Sequence, residues 1–197
     1  MISIRALLLS ALVLVVAGCQ SGITPNYYRL ESLESLGQVG PGPSLGLTPV
    51  AIPEYLSRSG LVRDTSGLVV DVSDTERWAE PLESGIARVM ALNLARAIPT
   101  ADLRPYPWNS KRKPDISLRL KVTELQALPG RATLIAEAQL LHRDGGYINE
   151  LLSLDTSLPN PSTGSDIAGA YSRLLADLSV RLAETIRSHP FNAEPAN

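Results

Sequence analysis

The sequence predicts an α/β sandwich: a mixed, largely antiparallel sheet with two main amphipathic helices packed on it. Three observations predict it. Ile116, Leu118, Leu120 and Val122 alternate with Ser117, Arg119, Lys121 and Thr123, the period of a strand with one buried face. Two stretches, about Glu80 to Ile98 and about Thr163 to Ser188, repeat apolar residues at spacings of three and four, the helical period. Short, turn-rich connections separate the remaining apolar runs, as antiparallel neighbours require. Each helix must bury its stripe, and a one-sided meander predicts that both cover the same sheet face.

The chain opens with a targeting segment. Met1 to Arg5 is short and positive, Ala6 to Ala17 is a continuous apolar run, and Gly18 and Cys19 follow. That order is a secretory signal peptide over residues 1–18. The run falls short of the ~20 apolar residues of a transmembrane helix. Val16-Ala17-Gly18-Cys19 resembles the lipobox of bacterial lipoproteins. The resemblance implies cleavage before Cys19, a diacylglycerol on its sulfur and acylation of the new N-terminus. Residue 20 is Gln rather than Asp, which by the same resemblance implies sorting to the periplasmic face of the outer membrane. Each buried CH₂ contributes about 0.8 kcal/mol, so several chains anchor stably where one does not.

The globular part begins soon after. Residues 19–25 form a short lipidated tether, spanning at most ~25 Å when extended. Residues 26–190 read as a single domain and 191–197 as a flexible tail. Asn26 to Leu30 is the first strand-like segment. A Gly/Pro/Ser loop runs from Ser35 to Ser44, and Leu45 to Ile52 reads as a second strand, ended by Pro53. Leu61 to Asp64 and Leu68 to Val72 are short β runs around a Thr65-Ser66-Gly67 turn. Leu82, Ile86, Val89, Met90, Leu94 and Ala97 make the stripe of the first helix. Pro81 suits its first turn and Pro99 stops it.

After the alternating strand, Pro129-Gly130 turns the chain into Ala132 to Leu141. Asp144-Gly145-Gly146 turns it again into Tyr147 to Thr156, completing a three-stranded meander. Thr163 and Asp166 resemble a capping box with Asp in place of Glu. They open the second helix, whose stripe is Ile167, Tyr171, Leu174, Leu178, Leu182 and Ile186. His189 and Pro190 end it. The count is two helices and some six or seven strands.

Composition limits the chemistry. With 18 Lys+Arg against 20 Asp+Glu the formal charge is −2, so no positive field gathers nucleic acid. Arg5 is the one charged side chain in residues 1–18, so its removal leaves −3. A single cysteine and two histidines exclude an internal disulfide framework and a Cys/His zinc cluster. No Ser/His/Asp set, carboxylate pair or phosphate loop stands out, so neither a catalytic residue, a metal site nor a cofactor is expected, apart from the covalent lipid on Cys19. His142 beside Arg143 and Asp144 reads as a hairpin-end histidine, and His189 as a helix C-terminal one.

Several segments together are similar to one family. Ile52-Pro53-Glu54-Tyr55-Leu56-Ser57-Arg58 with Leu61-Val62-Arg63 resembles its "PEYLDR…IV.R" segment. Arg77-Trp78-Ala79-Glu80-Pro81-Leu82 resembles its "RWAEPL". Asn93-Leu94 followed by Pro105-Tyr106-Pro107-Trp108 resembles its "NL…YPW", and Tyr27, Tyr28 and Leu30 fit its opening. The chain looks like a PqiC/YmbA-type lipoprotein, an auxiliary component of ABC-type and MCE-type transport systems, over nearly all of its mature length. The resemblance implies a non-enzymatic subunit that docks an MCE-domain periplasmic protein, within a system moving lipids or other hydrophobic solutes between membranes, and a ring-forming homo-oligomer. One departure is Ser57 where the family usually has Asp, which removes a carboxylate partner for Arg58 or Arg63.

Candidate docking residues are Tyr55, Leu56 and Arg58 on the Pro53 loop, with Trp108 in the proline-stiffened segment, because exposed aromatic, aliphatic and Arg side chains are typical anchors. Each has a structural alternative: Tyr55 and Leu56 packing on the core, Trp108 lidding it. Trp78 reads as a staple before the first helix, and Lys111-Arg112-Lys113, the only basic run, as a solvated loop or a contact for lipid headgroups or an acidic partner. A rival reading is a carrier that itself holds a lipid, with Ala132, Ala136 and Ala138 leaving room. A third, an envelope hydrolase, lacks a constellation to support it.

Overall fold

The computed structural model of the chain describes residues 24–32, 42–98 and 102–188. Cys19, the signal segment, the start of the Gly/Pro/Ser loop, Pro99, His189, Pro190 and the 191–197 tail lie outside the described residues. Among the described residues, eight strands and two α-helices occur in the order β1 (Asn26–Tyr28), β2 (Leu45–Leu47), β3 (Gly60–Asp64), β4 (Val70–Trp78), α1 (Leu82–Ala97), β5 (Leu103–Pro105), β6 (Ile116–Leu128), β7 (Arg131–His142), β8 (Tyr147–Ser157) and α2 (Gly164–Ser188). Short 3₁₀ turns occupy Glu54–Ser57 and Ser110–Arg112.

The expected α/β sandwich is present, with its strands divided between two sheets. The larger has the order β5-β2-β6-β7-β8 and the smaller β1-β4-β3. The β6–β7–β8 meander is antiparallel throughout, whereas β2 runs parallel to both β5 and β6. β6 is longer than its clean alternation. A bulge between Val122 and Glu124 resets the phase, so the inward residues are Leu118, Leu120 and Val122, then Leu125 and Ala127. Strand β5 and both 3₁₀ turns escape the sequence pattern. β5 is three residues long and owes its conformation to pairing with β2.

Both helices pack on one face of the larger sheet. α2 lies over β7 and β8, α1 lies against β2, and the two contact each other. The α2 stripe is buried as predicted at Ile167, Tyr171, Leu174, Leu178 and Leu182, joined by Leu175 and Ala183. Arg173, Asp177, Arg181 and Glu184 stay exposed. The capping box forms. Asp166 N–H donates to Thr163 Oγ1 at 3.2 Å, and Thr163 N–H donates to Asp166 Oδ2 at 2.8 Å. α1 begins at Leu82, with Pro81 in the cap position and its carbonyl accepting from Ser84 and Gly85.

The smaller sheet is fixed to α2 by one carboxylate. Glu76 on β4 accepts from the Gly164 backbone N–H at 2.9 Å and the Tyr28 hydroxyl at 3.4 Å, and lies 2.5 Å from Arg63 of β3. Arg63 pairs with Glu76. Two residues on, Trp78 stacks on Tyr171 with ring centroids 6.2 Å apart. Trp78 thus ends β4 and packs on α2. The backbone keeps it in the strand, because its N–H donates to Ser59 and that of Ala79 to Tyr28. Gly164 is required at this junction, since an added Cβ would lie 2.5 Å from the Tyr28 ring and 2.7 Å from Glu76 Oε1.

Gly164→Ala is expected to cost about 1–3 kcal/mol by overpacking. Glu76→Ala should cost about 2–3 kcal/mol by stripping a charge-assisted acceptor from a half-buried Arg and a helix N–H. Urea denaturation checks both, and the double variant should lose less than the sum because the two changes break one contact.

Candidate docking surface and apolar cavity

The 3₁₀ turn Glu54–Ser57 places two of the predicted docking residues against the protein rather than in solvent. Leu56 is 2% exposed and belongs to the core. Tyr55 is half-buried against the same core. Burial raises its phenol pKa, and the Leu125 backbone bonded to it opposes that shift. Arg58, just past the turn, is exposed. Trp108 is half-buried: its indole N–H donates to the Arg104 carbonyl at 2.9 Å and its ring meets Tyr106 edge-on at 5.2 Å. A Cβ on Gly46 would fall 2.4 Å from that ring, so glycine is what lets Trp108 lie on β2.

The structure does not bring these residues into one patch. Gly46 pairs with Ser117 near the start of β6, whereas the Tyr55 turn reaches Leu125 near its end. Eight residues of strand separate the two points, on the order of 25 Å. Trp78 is a core residue as expected. Ala132, Ala136 and Ala138 are fully buried on β7, the strand α2 packs against, and leave no room there.

Two surfaces were not singled out from sequence. The β3–β4 hairpin exposes Leu68 (95%), Val69 and Val70 in succession. An apolar triplet after the Ser66-Gly67 turn is the signal that marks it. β1 pairs only with Glu76, Arg77 and Trp78 of β4, so among the described residues the Val70–Thr75 stretch keeps that edge unpaired. The helix-free face of the larger sheet is polar, with Arg119, Gln139 and Asn149 hydrogen-bonded in a row and Lys121 paired with Glu137. Leu151 stands out from β8 at its margin.

The second surface is a cavity of about 300 Å³ between α1 and the β5–β2 end of the larger sheet. Ala87, Ala91 and Leu94 of α1 face Leu45, Leu47 and Leu103 across it. Arg104 at its margin is already engaged: Nε donates to both Asp102 oxygens at 3.1 and 3.0 Å, and Nη1 to the Lys113 carbonyl at 2.7 Å.

Several polar groups of the interior have structural partners, while the buried hydroxyls of Thr133 and Tyr171 have none among the described residues. Asp64 closes the hairpin turn through Ser66 and Gly67, Thr185 donates to Glu150 at 2.6 Å, and Ser179 bonds the Leu175 carbonyl. Burial pushes the Tyr171 phenol up, which keeps it protonated. His142 sits at the β7–β8 turn, where its Nδ1 faces Asp144. Among the described residues no three of His, Cys, Asp and Glu come together to hold a metal, and no helix is long and apolar enough to cross a membrane.

A family model described as the ABC-type transport auxiliary lipoprotein component matches residues 28–183. The chain is 27% identical over 144 residues to the intermembrane transport lipoprotein PqiC of Escherichia coli (strain K12), covering 71% of this chain and 75% of that one. The same figures hold for PqiC of Shigella flexneri. Among solved structures, an uncharacterized protein superposes with a TM-score of 0.69 at 22% identity, covering 83% of this chain and 99% of that one. Protein XCC0632 from Xanthomonas campestris superposes at 0.62 and 14% identity, covering 83% and 93%. These two establish the fold.

Asp115 carries the strongest electrostatic signature at the cavity end. Its carboxylate accepts from the Ser44 hydroxyl at 2.7 Å and the Ser44 N–H at 2.9 Å, and pairs with Arg143. These hold its pKa down at about 2. A depressed carboxylate pKa stabilises the fold above the unfolded value near 3.8, and the gain is lost as pH falls toward 2. Allowing for partial exposure, the gain is about 1–2 kcal/mol. Thermal melts at pH 5 and pH 2.5 should show a smaller acid loss for Asp115→Asn than for the wild type.

Proposed function

Because the chain belongs to the family of ABC-type transport auxiliary lipoprotein components, we propose that it is the outer-membrane-anchored docking subunit of an intermembrane lipid transport system. The match over residues 28–183 carries this reading, since it spans both sheets and nearly all of α2. In this reading three acyl chains on Cys19 hold the domain on the periplasmic face of the outer membrane. A tether of at most ~25 Å keeps it there. An MCE-domain periplasmic protein docks on the surfaces that the helices leave uncovered, and copies of the chain associate into a ring.

The site chemistry is consistent with binding rather than catalysis. Arg58 offers an exposed fork of donors for a partner carboxylate or carbonyl. Leu56 contributes by fixing the turn that presents Arg58. Tyr55 and Trp108 offer their outer edges while their bodies pack on the domain. A second reading, a carrier that holds a lipid itself, is favoured by the apolar cavity under α1.

Affinity purification of the tagged protein from intact membranes should recover an MCE-domain protein. Metabolic palmitate should label the wild type, and Cys19→Ala should lose both the label and the membrane fraction. Purification that returns no MCE-domain partner contradicts docking, and label persisting in Cys19→Ala contradicts the anchor.

A further inference from the structure

The cavity under α1 goes unused by the docking role and calls for its own account. Protein interiors leave few voids larger than a water molecule. The space of ~300 Å³ here is partly open to solvent and far larger than such a void. Its walls are aliphatic: Leu45, Leu47, Leu103 and Ile116 on the sheet and Leu94 on α1. Such a space holds water poorly and accepts hydrocarbon. α1 turns Ala87 and Ala91 toward it where longer side chains would close it.

Charge defines the other half of the ligand. The one charged residue on the lining, Arg104, has its guanidinium neutralised by Asp102. The portion of a ligand inside the cavity therefore meets no ion. Arg104 also fastens the Lys113 carbonyl, which draws the basic run to this margin. Arg112 is near enough to lower the pKa of Asp102. Lys111, Arg112 and Lys113 are all exposed, which leaves three positive charges there on a protein whose formal charge is −2.

We propose that this cavity binds one acyl chain of an anionic amphiphile, with the chain among Leu45, Leu47 and Leu103 and the headgroup on the Lys111–Lys113 run. The inference deepens the carrier reading and is independent of docking. The described chain begins away from the cavity. The chain from Cys19 enters the fold at Tyr28, which touches Gly164 at the start of α2, whereas Ile186 near the far end of α2 lines the cavity. Those 22 residues of helix span about 33 Å.

The test uses the mature chain carrying Cys19→Ala, which removes the anchor as a ligand. Probes are palmitate, palmitoyl-lysophosphatidylglycerol and palmitoyl-lysophosphatidylcholine, all below micellar concentration. Native mass spectrometry and displacement of a fluorescent fatty acid report binding. A one-to-one complex is expected with the anionic probes. Palmitate alone binding identifies a free fatty acid; lysophosphatidylglycerol binding as well identifies a phospholipid chain, and both results support the site. Ala87→Leu with Ala91→Leu should weaken binding at least tenfold with an unchanged or higher Tm. Leu47→Phe fills the same space from the sheet side, should the helix variant fold poorly. Lys111→Glu with Lys113→Glu should weaken the anionic probes several-fold. Absence of any wild-type complex overturns both the site and the carrier reading. Filled variants that bind as well as wild type overturn the site alone. Equal binding of the choline probe, insensitive to charge reversal, overturns the anionic assignment.

Discussion

The carboxylate of Glu76 is the point on which the two sheets and the long helix depend. It serves a strand hydroxyl, a strand guanidinium and the first backbone N–H of α2 at once. A negative group suits a helix N-terminus, where unpaired N–H groups and the helix dipole converge. Glu76 and Trp78 share a face of β4 by the period-two rule. One strand thus contacts α2 twice, by a charge at Gly164 and a ring at Tyr171. Gly164 allows the approach and Thr163 with Asp166 completes the cap. The helix start is consequently held at the smaller sheet while its apolar stripe packs on the meander.

That constraint divides the molecule functionally. α2 runs from the Glu76 junction, beside the strand that follows the tether, to the cavity end, where Asp115 and Arg143 close the other margin. The helix-covered face is filled by aliphatic packing, except where α1 presents alanines. The opposite face carries the Arg119–Gln139–Asn149 row, and the β3–β4 hairpin carries Leu68 and Val69 into solvent. The proposed docking role would use this division, with one side spent on stability and the other free to be recognised.

What could be read from the sequence was whatever a local pattern encodes. The alternation from Ile116 to Val122, the two helical stripes, the capping pair and the Gly145 turn each lie within a few residues, and all appear in the fold. The lipobox at Cys19 is local in the same way. Glu76 was not legible, because its partners Tyr28 and Gly164 lie 48 and 88 residues away. Strand β5 exists only through β2, and the β6 bulge breaks the alternation that revealed the strand. Ala132, Ala136 and Ala138 have the size that could leave room for a ligand, but small residues under a helix let it come closer. The space lies at Ala87 and Ala91, on the flank of the α1 stripe that identified the helix. Leu56 and Trp108 have the composition of docking anchors; exposure, which depends on the whole fold, leaves Arg58 the most accessible of the four.

In the proposed docking role this domain is recognised through the exposed surface around Arg58, just past the Pro53 turn. Site-specific photo-crosslinking in intact cells tests it most directly, with the crosslinker in place of Arg58 and, as reference, of Asp177 on the solvent side of α2. A crosslink from position 58 to an MCE-domain protein is expected, with none from position 177. A crosslink to that protein from position 177 alone would contradict it.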